Sequence, residues 1–312
     1  MKHLMTLALA AFGLLTAPVA AATFGPLVSP QTLSTTDANP LIIDIRGKGK
    51  DGVSLFEQGH IQGAVNAPYG LFRGTKENPG KLVSPEHLQK VLREIGATKD
   101  RATVIAYQGA NISDFGAAAR VYWTLKSAGF KDLSILNGGL NNWTEASLPL
   151  AKGAASLTPS TIEVTFSSQW LATTDDVLKI VNGEEKARLV DARPEEFWKG
   201  EKKHPAAAKP GTLPQSEYFV HSSWFDSKPV IADAAKAKAL AAEAGFKSGE
   251  QLVSFCNTGH WAATNWFALS ELAELDDVKL YPDSLVGYSN AGHDMANTPG
   301  LFQTLIKQVT GS

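Results

Sequence analysis

Thiols are nearly absent from this sequence of 312 residues: it has one cysteine, Cys256. A single thiol excludes an intramolecular disulfide and any metal site built from several thiolates. Charge of one sign is equally lacking, since 29 Lys and Arg face 31 Asp and Glu, for a net charge of -2. With no basic block either, a generic nucleic-acid or anionic-membrane surface is excluded as the basis of function. After the first 22 residues no run approaches the roughly 18 uncharged apolar residues of a membrane span. Hydrophobic residues make up 44% of the chain, which excludes collagen and wholesale disorder. At about 150 residues per domain, the length suggests about two domains, each able to bury its own core.

The longest apolar stretch opens the chain. Lys2 and His3 precede an apolar run from Leu4 to Leu15, and Val19-Ala20-Ala21 fits a small-x-small cleavage signal. This is the pattern of a secretory signal peptide over 1–21, too short in its apolar part to span a bilayer. No cysteine follows it to carry a lipid. The mature protein is expected to be periplasmic or secreted, with no membrane insertion after signal removal. In an oxidising compartment cysteines are usually paired. A lone one is either a buried, inert residue or one kept for its reactivity.

The chain contains itself twice. Leu41-Ile-Ile-Asp-Ile-Arg46 resembles Arg188-Leu-Val-Asp-Ala-Arg193, with Asp44 corresponding to Asp191. Val104-Ile-Ala-Tyr-Gln108 resembles Leu252-Val-Ser-Phe-Cys256, Ala118 corresponds to Ala262, and Ile135–Trp143 corresponds to Leu280–Tyr288. The order is kept at offsets of 144 to 148 residues, a repeat of domain size. In each half, apolar runs of strand length (41–45, 103–107, 133–136; then 189–192, 252–255, 278–281) alternate with helical patterns. Ser84 and Pro85 suit an N-cap and first helical position, and Leu88, Val91, Leu92 and Ile95 follow at helical spacing. Ala234–Ala244 is the alanine-rich counterpart. Such alternation predicts parallel sheets covered by helices, with ligands beyond the carboxyl ends of the strands. Asp191-Ala-Arg193, Cys256 with its loop, and Pro282-Asp-Ser284 all fall there.

The loop reads Cys256-Asn257-Thr258-Gly259-His260-Trp261 between a strand ending at Phe255 and a helix expected near Ala262, with Trp266, Leu269 and Leu272 on one apolar stripe. Unpaired N–H groups at such a turn favour negative charge, either on a thiolate or on a bound anion. Gly259 permits the curvature of a cradle.

In these motifs the chain resembles the tandem rhodanese domains of thiosulfate and 3-mercaptopyruvate sulfurtransferases. The ordered set is Asp44-Ile-Arg46, Gly59-His-Ile-Gln-Gly-Ala64 and Leu136-Asn-Gly-Gly-Leu140 with Trp143, then Asp191-Ala-Arg193, Gly211-Thr-Leu-Pro214, the Cys256 loop and Leu280-Tyr-Pro-Asp-Ser284. The resemblance implies an α/β fold of two tandem rhodanese-like domains, each a parallel β-sheet flanked by helices. The first, 27–150, has Gln108 where the second has its cysteine. A linker at 151–160 precedes the catalytic domain, 161–312.

The resemblance also implies chemistry. The Cys256 thiolate takes sulfur from thiosulfate or 3-mercaptopyruvate, and the persulfide passes it to a nucleophilic acceptor, a small molecule or a periplasmic thiol protein. No cofactor or metal is needed. Arg193, Lys199 and loop residues Asn257, Thr258, Gly259, His260 and Trp261 are expected at the substrate and persulfide. His60 and Asp51 stand as a candidate relay from the first domain. The loop has no permanent cation, so His260 is expected to supply positive charge when protonated, and Trp261 to narrow or wall the pocket. Gly211-Thr212 and Tyr288 depart from the family's Gly-His and Trp. The run from Lys199 to His204 reads as a solvated loop. A phosphatase of related fold is disfavoured, because Asn257–Trp261 holds no arginine to clamp phosphate. A persulfide carrier or a non-enzymatic binding partner in periplasmic sulfur metabolism stands as the alternative.

Overall fold

The computed structural model describes residues 23–153 and 158–300. The expected signal peptide lies outside the described residues. Among the described residues there are two sheets, and every strand pairing in them is parallel. In the first half, β1 (Leu27–Val28), β2 (Leu41–Asp44), β3 (Val65–Asn66), β4 (Thr103–Ala106) and β5 (Leu133–Leu136) lie in the order β1-β5-β4-β2-β3. In the second, β6 (Arg188–Asp191), β7 (Glu217–Tyr218), β8 (Leu252–Phe255) and β9 (Val278–Leu280) lie in the order β7-β6-β8-β9. Superposing β2 to β5 on β6 to β9 reproduces the neighbour order, so the sequence repeat is a structural one. Asp44 sits opposite Ala106 and Asp191 opposite Phe255, so Tyr107 and Cys256 leave equivalent strand ends, one residue before the Gln108 that the sequence repeat suggested.

β2, β4, β5 and β8 are buried at every position. Helices cover both faces of such sheets, so the strands read as unbroken apolar runs rather than alternating ones. Ser84 Oγ accepts the His87 N–H and Pro85 opens the helix Pro85–Glu94, which turns Leu88, Val91 and Leu92 inward. Asp233 caps Ala234–Glu243.

The helix after the cysteine loop differs from the expected single stripe. Trp261–Phe267 is buried from Ala262 onward, and the chain continues as a π-helical turn over Ala268–Leu272. The reason is that this helix lies between its own sheet and the first half's helix Phe115–Ser127. Phe267 meets Phe115 edge-on at 5.4 Å and Tyr122 at 5.0 Å between ring centroids. Glu271 accepts the Tyr122 hydroxyl at 2.8 Å and the Lys126 ammonium at 2.7 Å. One apolar core therefore runs through both halves.

Each half holds the same buried ion pair. Asp44 accepts two side-chain N–H groups of Arg46, whose Nη2 also donates to Gly59 O at 2.7 Å. Asp191 does the same for Arg193, whose Nη2 donates to Gly211 O at 2.8 Å. Planar guanidinium against planar carboxylate gives the bidentate geometry that makes such a pair tolerable inside a protein.

Candidate active site

Cys256 stands one residue past β8 and is only 1% exposed. It faces a cavity of about 300 Å³. The second half contributes Asn257, Thr258, His260, Trp261 and His204 to the walls, and the first half contributes Arg73, Pro79 and Ser113. The site is thus shared between halves.

Ser284 pins the cysteine loop. Its Oγ accepts the backbone N–H of Cys256 and that of Gly259, each at 3.1 Å, and donates to Tyr281 O at 2.8 Å. Serving both ends of the loop forces Ser284 into the left-handed region, φ +50°, a conformation that costs a residue with a Cβ of order 1–2 kcal/mol. Gly259 has φ +65°, and a Cβ there would lie 2.7 Å from Pro282 O and against Arg120 Nη1. Two loop N–H groups are thereby committed to the hydroxyl. Those of Asn257 and Thr258 have no protein acceptor among the described residues.

The structure corrects four site expectations. Arg193 does not face the cavity: its guanidinium is taken by Asp191, Gly211 O and Asn257 Oδ1, the last at 3.2 Å. It fixes Asn257 from behind. Lys199 is on the surface, paired with Glu195 at 2.7 Å. His60 stacks on Phe56 at 3.7 Å and donates through Nδ1 to Phe56 O. Asp51 accepts from Val53 N and Gln58 Nε2 in its own loop. Neither His60 nor Asp51 lines the cavity, so no relay runs from them to Cys256.

His260 differs from expectation too. Nε2–H donates to Ser113 O at 2.8 Å, and Nδ1 is 3.1 Å from the Tyr69 hydroxyl, from which it accepts. Burial first, then the nearby Arg73 charge, pushes its pKa down to about 3. The ring is neutral at physiological pH and supplies no cation. Trp261 does wall the cavity. Its ring stacks on His221 at 5.0 Å, meets Phe197 at 5.9 Å, and donates Nε1–H to Ser113 Oγ at 2.7 Å.

The permanent charge comes from the first half, which sequence reasoning missed. Arg73 Nη2 donates to Thr258 O at 2.9 Å, and Arg120 donates to Gly80 O at 2.8 Å and to Gly259 O at 3.4 Å. Arg120 is fully buried, which lowers its pKa to about 9, with the Arg73 charge adding to the effect. Around these arginines the first half is moulded to the loop. Asn78 Nδ2 donates to Asp283 at 2.6 Å. Gly116 lets His260 approach so closely that a Cβ would meet its carbonyl oxygen at 2.8 Å. His204 was also missed, because it closes a charged run. It lines the cavity half-buried, and burial, then Arg73, lowers its pKa.

Comparison with known proteins gives this geometry a place. Residues 31–146 match the family described as a rhodanese-like domain. A 3-mercaptopyruvate sulfurtransferase of Escherichia coli is 28% identical over 227 residues, 72% of this chain and 78% of its own length. The sulfur carrier protein TtuD of Thermus thermophilus is 27% identical over 251 residues, 77% of this chain and 86% of its own. The crystal structure of the E. coli 3-mercaptopyruvate sulfotransferase SseA superposes with a TM-score of 0.70 at 24% identity, covering 83% of this chain and 98% of that one. The chain carries a rhodanese-like domain over residues 31–146. It is built of tandem rhodanese folds, and its enzyme class is sulfurtransferase.

In the first rhodanese fold the position of Cys256 is filled by Tyr107, whose carbonyl accepts Leu140 N as that of Cys256 accepts Leu285 N, and Gln108 takes the place of Asn257, its Nε2 donating to Asn141 Oδ1 at 2.6 Å. The loop after it carries Ser113, the residue that receives both His260 and Trp261. The thiol-free loop therefore serves as a support for the thiol-bearing one.

Proposed function

We propose that this protein moves a sulfane sulfur from a small anionic donor, thiosulfate or 3-mercaptopyruvate, to a nucleophilic acceptor through a persulfide on Cys256. The observation that carries this reading is the position of the chain's only thiol, at the end of β8 on a pinned loop facing a cavity of about 300 Å³. The Cys256 thiolate attacks the donor's transferable sulfur, a new S–S bond forms, and the electron pair of the broken bond leaves with sulfite or with the enolate of pyruvate. An acceptor nucleophile then takes the outer sulfur and the thiolate returns, a two-step covalent cycle. The N–H groups of Asn257 and Thr258 are among the loop donors available to charge on sulfur.

The opening segment supports export, so the reading includes a periplasmic or secreted enzyme, with a small nucleophile or a periplasmic thiol protein as acceptor. The relative named a sulfur carrier favours a second reading, in which the persulfide is delivered by a partner protein. Intact mass after incubating the reduced protein with each donor separates them. The enzyme reading expects the gain of one sulfur, removable by cyanide and absent in Cys256→Ser. No gain from either small donor moves the protein to the carrier reading, and sulfur transfer that survives in Cys256→Ser refutes the site itself.

A further inference from the structure

Among the side chains lining the cavity, one has a buried polar atom whose bonding is incomplete. Arg73 Nη1 is buried and has no hydrogen-bond partner, while Nη2 of the same guanidinium is bound to Thr258 O on the cysteine loop. Buried charged donors without acceptors are rare, because the desolvation is uncompensated. Its neighbours do not compete for the role. Arg193 is closed in its ion pair, Lys199 is outside, Arg120 keeps an unpartnered Nε but does not line the cavity and is bonded to Gly80 O and Gly259 O, and the His260 ring is committed on both nitrogens. Arg73 is the only Lys or Arg among the described residues lining the cavity.

We infer that Arg73, a residue of the thiol-free half, is the anion-binding residue of the site, its Nη1–H placed to take an oxygen of a sulfonate-type leaving group as in thiosulfate. The inference rests on the sulfurtransferase reading and assigns its donor. When Cys256 sulfur bonds to the outer sulfur of such a donor, the donor's S–S bond breaks and its electron pair departs on sulfite. The new charge is met by the guanidinium, and no proton is required. A carbon-bound donor differs, since the carbon left behind must be protonated. The histidine facing the thiol has Nε2–H bound to Ser113 O and Nδ1 filled by the Tyr69 hydroxyl. Fixed cation without free acid suits sulfur–sulfur cleavage.

The test compares wild type, Arg73→Met and Arg73→Lys in the full chain, by the rate of Cys256 modification read from intact mass. Two reagents are anionic, thiosulfate and methanethiosulfonate. The third, iodoacetamide, is neutral, expels iodide rather than a sulfur oxyanion, and reports thiol reactivity and loop integrity alone. Removing a charge-assisted hydrogen bond is expected to slow both anionic reagents about 10- to 100-fold and leave the neutral one within about twofold, with Lys recovering part of the loss. Equal slowing of all three reagents would show that Arg73 only holds the loop. Unchanged rates with the anions, or wild-type loading from 3-mercaptopyruvate that is faster than from thiosulfate and insensitive to Arg73, also overturns the inference. If wild type reacts with the neutral reagent and loads from no donor, the sulfurtransferase reading itself fails.

Discussion

Replacing Ser284 by Ala removes the acceptor that the Cys256 and Gly259 N–H groups share, and the donor to Tyr281 O, with no change in chain direction. All three residues bearing the loop-side groups, Cys256, Gly259 and Ser284, are buried. An unsatisfied buried backbone group costs about 1–3 kcal/mol. Two of them give about 2–6 kcal/mol, and relaxation of the loop brings the expected loss to about 2–4 kcal/mol. The left-handed backbone at φ +50° is no easier for Ala than for Ser, so nothing offsets the loss. Ser284→Gly loses the same hydroxyl but adopts that backbone freely, and it is expected to be more stable than the Ala variant by about 1 kcal/mol. Urea unfolding measures both. With a slope of about 3 kcal/mol per molar, the Ala variant shifts the midpoint down by about 1 M. Sulfur loading on Cys256 falls in both variants, because the loop ends are no longer tied together. An Ala variant within about 0.5 kcal/mol of wild type, loading at the wild-type rate, refutes the assignment of Ser284 as the loop's anchor.

Acid destabilises through the buried histidines. His260 is held near a pKa of about 3 and His221 near about 4, below an unfolded value of about 6.5. Between these limits the unfolded chain binds protons that the native one refuses, so stability falls as pH drops below about 6.5, by up to about 1.4 kcal/mol per pH unit for each ring. Urea midpoints from pH 7.5 to 5 read this, and His260→Asn is expected to flatten the slope; an unchanged slope counts against burial of a neutral ring. Gly116→Ala gains helix propensity of about 1 kcal/mol but drives a Cβ into His260, whose ring is tied at both nitrogens. A net loss of stability and about tenfold slower loading are expected, and a more stable, fully active variant contradicts the close approach. Arg193→Met strands the buried Asp191 charge and should cost about 3–5 kcal/mol, whereas Lys199→Ala leaves donor kinetics unchanged. A stable Arg193→Met protein with only a raised KM would return Arg193 to the substrate.

The sequence made the fold legible because the physics of a doubly covered parallel sheet is local. Strands such as Thr103–Ala106 and Leu252–Phe255 are apolar on both faces, and Ser84-Pro85 marks a helix start by itself. The cysteine loop was legible for the same reason, as a polar turn after an apolar run. What failed was the assignment of charge. Asp-x-Arg reads equally well as a substrate cation or as a closed ion pair, and the deciding signal was in the other half. Asp44-Ile-Arg46 keeps the same pair where no thiol exists, so the pair serves the fold. His60 and Asp51 were placed by resemblance alone, and nothing near them in sequence specifies what they face. Arg73 and Arg120 carry no local pattern, since they meet the loop across separations of 185 and 139 residues. His204 was masked by the lysines before it.

The absence of a thiol at Tyr107, the first half's counterpart of Cys256, explains more than a silent half. A cysteine loop standing alone would turn the carbonyls of Thr258 and Gly259, the Trp261 indole and the His260 ring toward water. Here each is met by the first rhodanese fold, through Arg73, Arg120 and Ser113. The second half's own cation near the loop is neutralised by Asp191, and its loop histidine is uncharged. Positive potential at Cys256 is therefore set from outside the domain that owns the nucleophile. A charge buried against the loop acts at a lower effective dielectric than a solvated one, so two guanidinium groups there outweigh anything a solvated lysine such as Lys199 supplies. A half that keeps no nucleophile is free to hold its polar groups for a neighbour, and the shared core between Phe115–Ser127 and Trp261–Phe267 fixes the distance at which it does so.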